Sequence, residues 1–199
     1  MAIAFLIVAG VALLFFGRLV YLRGYLWPHY TYVVENGQAT ITRYYGRSKH
    51  VVIPEKLGGA PVTRIGDYAF QPEDYIYEFD VNWGERLTGS QKIVSIKIPD
   101  RVTFIGEGAF YNCVALQTVT MPKGMTEIKD RTFANCTSLT SVTVPDGVVI
   151  IGDNAFDNCA SLARVSIPKS VSSVGTNAFY GVPWIDTSDG EAFLSKFRL

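Results

Sequence analysis

The residues that decide the fold read IGEGAFYNCVALQTVTMP from 105 to 122, IKDRTFANCTSLTSVTVP from 128 to 145 and IGDNAFDNCASLARVSIP from 151 to 168. Each stretch starts 23 residues after the one before it, and a partial copy, VGTNAFYGVPW, starts at 174. An earlier copy opens at Ile65 and closes after Ile93, with 17 extra residues between its halves. A fixed period of this length is typical of solenoids, whose units bury their apolar side only against their neighbours.

Several side chains recur at the same interval and define the predicted core. They are Phe110, Phe133, Phe156 and Phe179; Cys113, Cys136 and Cys159; and Leu116, Leu139 and Leu162. We expect like residues to stack in columns, because neighbouring coils of a solenoid share one core. The cysteines are odd in number and share one register, which favours a ladder of buried free thiols over a disulfide framework.

Each unit is predicted to contain a short helix, a strand, a turn and a second short strand. Apolar residues at 109, 110, 113 and 116 have the spacing of one helical face. Asp67, Asp130 and Asp153 precede such a face and suit a helix N-cap. The stretch 116–121 alternates between apolar residues and polar ones, which indicates a strand. A proline and a glycine-containing turn then end that strand.

The pattern I-G-x-x-A-F-x-x-C-x-x-L-x-x-V-x-[IVM]-P at this period closely resembles the BspA-type leucine-rich repeats. Three full units, one divided unit and one partial unit match it, over roughly residues 51 to 184. The resemblance implies an α/β leucine-rich-repeat solenoid with 23-residue units. It also implies action at bacterial or protist surfaces, in adhesion and protein contacts, and it implies no catalytic residue.

The first thirty residues form a separate apolar segment. Residues 1–17 carry no charged side chain, and Arg18 and Arg23 interrupt the apolar run that follows. A helix over residues 2–22 would span about 31 Å at about 1.5 Å per residue, close to the hydrocarbon thickness of a bilayer. The sequence therefore predicts one N-terminal transmembrane helix as a membrane anchor. A cleaved signal peptide and a buried chain start are the alternatives, although a basic n-region and an A-x-A site are missing.

The arginine placement conflicts with the family resemblance on orientation. Lysine and arginine are enriched on the cytoplasmic side of a membrane helix. Arg18, Arg23, Arg43, Arg47 and Lys49 all follow the apolar segment, which taken alone places the repeats inside the cell. We predict a membrane-anchored protein displayed on the extracellular face, with a scaffold or assembly module on the cytoplasmic face as the alternative.

These segments give a predicted domain organisation. It comprises the anchor or signal-like segment 1–30, an N-terminal hairpin cap 31–54, the solenoid 55–184 with an insertion at 71–91, and a C-terminal cap 185–199. Asn36-Gly37 is typical of a hairpin turn, and a hairpin would cover the open end of the core. At the other end, we expect Trp184 to cover the last phenylalanine.

The outward positions of the strands form the first candidate binding surface, because solenoids use such faces for recognition. The candidate residues are Lys97, Gln117, Thr118, Thr120, Thr140, Thr143 and Arg164. They give a small, hydroxyl-rich surface on which only Arg164 is of a type favoured at interface hot spots. The alternative is a solvated sheet face made of good strand formers.

The insertion QPEDYIYEFDVNWGERLTGSQ, residues 71–91, is the second candidate surface. It holds Tyr75, Tyr77 and Trp83 among five acidic residues. Long loops on a rigid scaffold often carry function, and aromatic residues among acids suit a basic or sugar partner. The alternation from 75 to 81 equally predicts a strand at a sheet edge.

Little in the sequence points to catalysis, cofactors or nucleic acid. The net formal charge is zero, which gives no basic footprint for nucleic acid. His29 and His50 stand alone, and no H-E-x-x-H, G-x-S-x-G or C-x-x-C motif occurs. We therefore predict a non-enzymatic protein without cofactor or metal. It binds an unidentified protein or glycan and contacts the membrane through residues 2–22.

Overall fold

The computed structural model describes residues 6–7, 10–15, 18–22, 30–46, 48–72 and 92–197. Short strands dominate these ranges. The strands are β1 (Leu6–Ile7), β2 (Gly10–Phe15), β3 (Arg18–Leu22), β4 (Tyr30–Glu35), β5 (Gln38–Tyr44), β6 (His50–Val52), β7 (Lys56–Leu57), β8 (Ala60–Ile65), β9 (Ser95–Lys97), β10 (Phe104–Ile105), β11 (Thr118–Thr120), β12 (Glu127–Ile128), β13 (Ser141–Thr143), β14 (Ile150–Ile151), β15 (Arg164–Ser166) and β16 (Ser173–Val174). A 3-10 helix (Pro183–Asp186) and α1 (Ser188–Leu194) follow them.

Strands that lie one unit apart build two parallel ladders along the solenoid. The first ladder contains β6, β9, β11, β13 and β15. The second contains β5, β8 and β10, followed by β12, β14 and β16. Register follows the sequence period, so that Val119 pairs with Ile96 and Val142 with Val165. The solenoid fold predicted from the repeat is thus confirmed.

The predicted phenylalanine column is confirmed. The ring centroids of Phe110 and Phe133 are 5.2 Å apart, and those of Phe133 and Phe156 are 5.4 Å apart. The Phe156 and Phe179 centroids are also 5.4 Å apart, and the ring planes of these three pairs differ by 10° or less. All of these rings are buried. One continuous aromatic stack therefore joins the coils.

The predicted ladder of buried free thiols is also confirmed. Each thiol donates a hydrogen bond to the carbonyl of a phenylalanine in the preceding coil. The pairs are Cys113 with Phe70 at 3.3 Å, Cys136 with Phe110 at 3.2 Å and Cys159 with Phe133 at 3.2 Å. Burial raises the pKa of all three thiols, that of Cys159 to about 12. They are therefore neutral at physiological pH.

The short helix predicted at the start of each unit is wrong. Residues 107–112, 130–135 and 153–158 form successive turns instead. Two backbone positions in each of these turns have positive φ, as at Gly108 and Asn112. A left-handed residue interrupts a right-handed helix, and glycine and asparagine adopt that conformation at low cost. The apolar spacing therefore reflects a tight arc around the core, and the three aspartates have no helix to cap.

The predicted transmembrane helix is wrong for the described part of residues 2–22. There β2 pairs antiparallel with β1 and β3, and β3 pairs with β4, so the segment adds strands to the sheet of β4 and β5. Across the described ranges, no helix combines the length and apolarity needed to cross a bilayer. An apolar run without helical periodicity suits a strand as well as a helix, which explains the error. Residues 2–5, 8–9 and 16–17 lie outside the described ranges.

A hairpin lies over the N-terminal end of the core. Strands β4 and β5 pair around the predicted turn at Asn36 and Gly37, and both residues have the positive φ that such a turn requires. The Tyr44 ring lies 5.1 Å from the Phe70 ring, and Tyr30 packs against Tyr44. Two tyrosines thus extend the aromatic stack beyond its first phenylalanine.

The C-terminal end of the core is covered as expected. Trp184 lies 5.3 Å from Phe179 between ring centroids and is buried. Phe193 of α1 contacts both rings, and Phe197 packs against Phe193. The boundaries 1–30, 31–54, 55–184 and 185–199 stay predictions.

Candidate binding face

The outward side of the ladder β6, β9, β11, β13 and β15, named the strand face, is the candidate site. The middle residue of each strand is a valine or isoleucine that packs against the core. The first and third residues point outward because side chains alternate along a strand. They form two columns along the solenoid: His50, Ser95, Thr118, Ser141 and Arg164, and Val52, Lys97, Thr120, Thr143 and Ser166.

Backbone hydrogen bonds fix the spacing of these columns. Val144 N–H donates to the Ser166 carbonyl at 2.9 Å, and Thr140 N–H donates to the Gln117 carbonyl at 3.2 Å. Neighbouring strands of a sheet lie about 4.8 Å apart, so each column repeats a side chain at about that interval. The backbone of the face is therefore ordered before a ligand binds. This order lowers the entropy cost of binding.

Seven of the candidate residues lie together on this face or at its border. Those on the strands are Lys97, Thr118, Thr120, Thr143 and Arg164, all of them exposed. Gln117 and Thr140 directly precede β11 and β13 and are exposed as well. Tyr75, Tyr77 and Trp83 of the insertion lie outside the described residues.

The polar side chains of the strand face have few partners within the described protein. Seven of them make no hydrogen bond or ion pair there: Lys97, Thr118, Thr120, Ser141, Thr143, Arg164 and Ser166. The exceptions among the described polar residues of these columns are His50 and Ser95, since His50 Nδ1 lies 2.8 Å from Ser95 Oγ. Lysine and arginine are present in the columns, whereas aspartate and glutamate are absent from them. The face therefore offers hydroxyl groups and cations to a ligand.

A second polar surface, named the turn face, consists of the turns at 67–70, 107–112, 130–135, 153–158 and 176–181. Its aspartates join neighbouring coils. Asp130 Oδ1 accepts a hydrogen bond from Asp153 N–H at 2.8 Å, and Asp153 Oδ1 accepts one from Thr176 N–H at 2.7 Å. These carboxylates therefore accept hydrogen bonds from backbone N–H groups of the next coil. A helix N-cap would instead accept them from the helix that follows it in the chain.

The aspartate ladder explains the glycine of the repeat. A Cβ at Gly152 would collide with Oδ1 of Asp130. The other pairs of this kind are Gly106 with Asp67 and Gly175 with Asp153. One pair of neighbouring units departs from both residues. The later unit has Lys129 at the glycine position, and the coil before it has Glu107 at the aspartate position. The added Cβ at Gly152 would also lie 2.7 Å from Asp130 N, so the aspartate side chain and the backbone of the preceding coil both exclude a side chain there.

Asparagines form a parallel ladder on the turn face. Asn135 Nδ2 donates to Asn112 Oδ1, and Asn158 Nδ2 donates to Asn135 Oδ1, both at 2.9 Å. All three have positive φ, between 54° and 61°. Each asparagine therefore serves the backbone conformation and the contact between coils at once.

Glu107 also has partners in both neighbouring coils. The Tyr68 hydroxyl donates to its Oε1 at 2.7 Å, and the Arg131 guanidinium donates to the same oxygen at 2.9 Å. The bond from Tyr68 and the cation of Arg131 hold the pKa of Glu107 below its usual range. The same bond raises the pKa of Tyr68. The three aspartates, the three asparagines of the ladder and Glu107 are thus bonded within the fold.

An open groove of about 390 Å³ lies at the C-terminal end of the strand face. Its polar walls are Ser141, Thr143, Arg164 and Ser166, together with Thr187 and Asp189, and Trp184 also lines it. The sequence analysis missed the last three as groove residues. A signal existed, because Thr187 and Asp189 lie one 23-residue period after Arg164 and Ser166.

Among the described residues, no three histidine, cysteine, aspartate or glutamate side chains form a group that could hold a metal ion. Burial raises the pKa of the three thiols, so they do not supply a thiolate nucleophile.

The parallel ladders, the stacked phenylalanines and the turn-rich coils define a leucine-rich-repeat solenoid. The chain belongs to the BspA type leucine rich repeat family, whose family model matches six copies over residues 85–197. The resemblance drawn from the motif is therefore confirmed. Repeats of this family are typically non-catalytic binding modules.

Solved structures of bacterial leucine-rich repeat proteins are similar to the chain. A T. pallidum leucine rich repeat protein shares 28% identity at a TM-score of 0.66, covering 78% of this chain and 66% of that one. A Bacteroides ovatus leucine-rich repeat protein shares 28% identity at 0.55, covering 80% and 45%. A leucine rich cell surface protein from Faecalibacterium prausnitzii shares 28% at 0.50, covering 79% and 52%. The chain thus spans between 45% and 66% of their lengths. No curated protein matches it.

Proposed function

We propose that the chain is a non-enzymatic interaction module that binds a partner protein through the strand face. The difference in side-chain use between the two polar surfaces carries this proposal. Aspartates, asparagines and Glu107 of the turn face bond to neighbouring coils. Seven polar side chains of the strand face make no such bond within the described protein. They are available to a ligand at no loss of internal contacts.

The chemistry of the face indicates the kind of partner. Lys97 and Arg164 are both exposed, and acidic residues are absent from the two columns. A surface of carboxylates and carbonyl oxygens on a partner protein would complement these cations and hydroxyl groups. An acidic glycan is the second candidate, because the groove beside Arg164 presents several hydroxyl groups. On the sequence alone, Tyr75, Tyr77 and Trp83 are proposed as a further contact.

Site-specific photo-crosslinking tests the proposal. A photoreactive residue at Thr118 or Thr143 should capture the same partner in cells that produce the protein, because both positions are exposed on the face. The same residue at Lys123, which is exposed in the turn after the strand, is the control and should not capture it.

Charge reversal then separates a specific face from a sticky surface. Lys97→Glu with Arg164→Glu should weaken binding of the captured partner. Lys123→Glu with Lys169→Glu makes the same change in net charge at exposed positions outside the columns, and it should leave binding unchanged. Equal losses from the two double variants would reject the strand face as the binding surface.

We further propose display at the cell surface, with attachment to a membrane through residues 2–22. The apolar composition of that segment supports attachment, and one similar structure is titled a cell surface protein. The cytoplasmic alternative rests on the basic residues near the end of the segment and after it, which are Arg18, Arg23, Arg43, Arg47 and Lys49. Adhesion is the corresponding proposal for the role of a displayed strand face.

Labelling of intact cells decides between the two locations. An impermeant biotin reagent should modify the repeat domain of a displayed protein, and protease added outside should degrade it. Deletion of residues 1–30 should release the remainder from the membrane fraction. A repeat domain protected in intact cells and labelled only after lysis would establish the cytoplasmic alternative.

A further inference from the structure

Strand β15 has a free edge. It pairs with β13 on one side, and on its other side no strand lies among the described residues. After β6, β9 and β13, the N–H that follows the strand donates to the carbonyl of the third residue of the next strand. These bonds run from Ile53 to Lys97 at 3.0 Å, from Ile98 to Thr120 at 3.3 Å and from Val144 to Ser166 at 2.9 Å. Ile167 has the same place after β15, and the described residues provide no next strand to accept its N–H.

The next strand is missing because the chain changes conformation where that strand would begin. The 23-residue period places residues 187–189 at the position after β15. Thr187 instead caps α1, and its Oγ1 accepts a hydrogen bond from Gly190 N–H at 3.2 Å. The helix then brings Phe193 onto Phe179. The aromatic end of the core is therefore covered, whereas the edge of β15 is left open.

The groove of about 390 Å³ provides room at this edge. It is lined by β13 and β15 and by Trp184, Thr187 and Asp189. An unpaired edge presents a row of backbone donors and acceptors, and the ligand that matches such a row is another extended backbone. With three residues, β15 is short, which limits the non-specific pairing to which long edges are prone.

We propose that the edge of β15 binds an extended peptide segment of a partner protein as a sixth parallel strand. This inference rests on the proposed role as an interaction module, and it assigns to that role a backbone edge in addition to the outward side chains. The ladder defines the peptide by its chemistry. The triplets Thr-Val-Thr of β11 and Ser-Val-Thr of β13 indicate a small hydroxyl residue, an aliphatic residue and a second small hydroxyl residue.

Register also defines which peptide amides matter. In the existing ladder, Thr118 N–H, the first of its strand, donates back to the Val94 carbonyl, and the carbonyl of the third residue, Thr120, accepts from Ile98. The first and third residues of an added strand therefore face β15. The amide of its middle residue points away from β15.

A synthetic peptide with the sequence of residues 139–146, LTSVTVPD, is a suitable probe because it carries the β13 triplet. Labelled with a fluorophore, it should bind the full chain saturably in an anisotropy titration. N-methylation at its Ser or at the Thr after its Val should weaken binding about tenfold or more, since each change removes a bonded amide and adds a clash. N-methylation at its first Val should change affinity less than about twofold. Equal effects at all three sites, or no binding, would overturn the proposal.

A pair of variants tests the protein side. Ile167→Pro removes the N–H and should abolish peptide binding. Ile167→Ala removes more of the side chain than proline does but keeps the N–H, and it should retain binding. Thermal unfolding checks that both variants fold. If one of them does not fold, the N-methylated peptides still test the proposal on the unmodified chain. If sedimentation shows that Ile167→Pro dissociates an oligomer of this chain, a second copy occupies the edge and the proposal is wrong.

The two proposals fail separately. Crosslinking from Thr118 and Thr143 reports on the strand face, and peptide binding reports on the edge. If the peptide does not bind but crosslinking from the strand face succeeds, only the proposal about the edge of β15 is rejected. Peptide binding that survives reversal of Lys97 and Arg164 supports the edge even where the face proposal fails.

Discussion

The strand face and the turn face arise from the same 23-residue repeat, yet they use polar side chains in different ways. On the turn face, asparagine amides bond to each other from coil to coil, and aspartates accept backbone N–H groups of the next coil. On the strand face, seven outward polar side chains have no partner in the described protein. The turn face thus contributes contacts between coils, whereas the strand face leaves these side chains without a partner in the described protein.

Backbone satisfaction explains this difference. Parallel strands satisfy each other's N–H and C=O groups, so their outward side chains have no structural duty. Tight turns leave backbone donors over, and side chains of the neighbouring coil must reach them. In a repeat protein, outward side chains therefore stay available for binding where the backbone is regular. Where the backbone is irregular, they are used to satisfy backbone groups.

The core beneath both faces sets the scale for effects on stability. Phe133→Ala should lower the free energy of unfolding by about 3–5 kcal/mol, because it removes a fully buried ring between two stacked neighbours and leaves a cavity. Chemical denaturation measures the loss. A cost below about 1 kcal/mol would mean that the stack is not a close-packed core.

On the turn face, Gly152→Lys should cost about 1–3 kcal/mol, because its Cβ collides with Asp130 Oδ1. Asp130→Glu in the same chain should restore part of that loss, since the pair then copies Glu107 and Lys129. A double-mutant cycle by denaturation gives the coupling. Strict additivity of the two substitutions would show that the carboxylate does not require the glycine.

Asn135→Ala should cost about 1–2 kcal/mol, because alanine is strained at a φ of 61°. Its amide also bonds to asparagines on both sides. Asn135→Gly relieves the backbone strain and loses only the side-chain bonds, so it should be less destabilising. If glycine and alanine cost the same, the ladder bonds and not the backbone decide this position.

The Glu107 carboxylate should make a smaller, pH-dependent contribution. Its pKa is held below the usual range, by the Tyr68 hydroxyl first and then by Arg131. The carboxylate therefore stabilises the fold above its unfolded pKa of about 4.3, and this stabilisation is lost as the pH falls through the folded value. Unfolding experiments between pH 7 and pH 3 should show that Glu107→Gln is less acid-dependent than the parent. Parallel curves would contradict this role.

The smallest effect is expected on the strand face. Thr118→Val and Thr143→Val keep the β-branched shape and remove hydroxyl groups that have no partner in the described protein. Each should change the free energy of unfolding by less than about 0.5 kcal/mol, as is usual for exposed positions. Losses as large as that of Asn135→Ala would remove the distinction between the two faces.

The period and the apolar columns could be read from the sequence because they repeat. Phe110 and Phe133 had to occupy equivalent environments once the units stacked, as did Cys113 and Cys136. The outward threonines followed from strand alternation. The helix prediction failed because residues 109, 110, 113 and 116 have a spacing that a turn-built arc satisfies equally. The asparagines at positive φ, such as Asn135, were the overlooked signal.

Features that depend on the end of an array were less accessible. Thr187 and Asp189 line the groove only because the chain becomes helical where a strand was due. The apolar segment 2–22 likewise carries no period that separates strand from helix, so composition favoured the wrong element. The local sequence pattern determines the structure of a repeating unit. Tertiary packing determines the structure that follows β15, where α1 replaces a strand.

The aromatic stack crosses the site of the insertion without a change in spacing. Phe70 and Phe110 are 40 residues apart in sequence, yet their centroids lie 5.1 Å apart, against 5.2–5.4 Å for pairs at the regular interval. The spacing of the stacked rings therefore does not depend on the number of residues between Pro72 and Lys92. The scaffold could therefore accept an inserted segment of a different length at this point without a change in the ring spacing on either side.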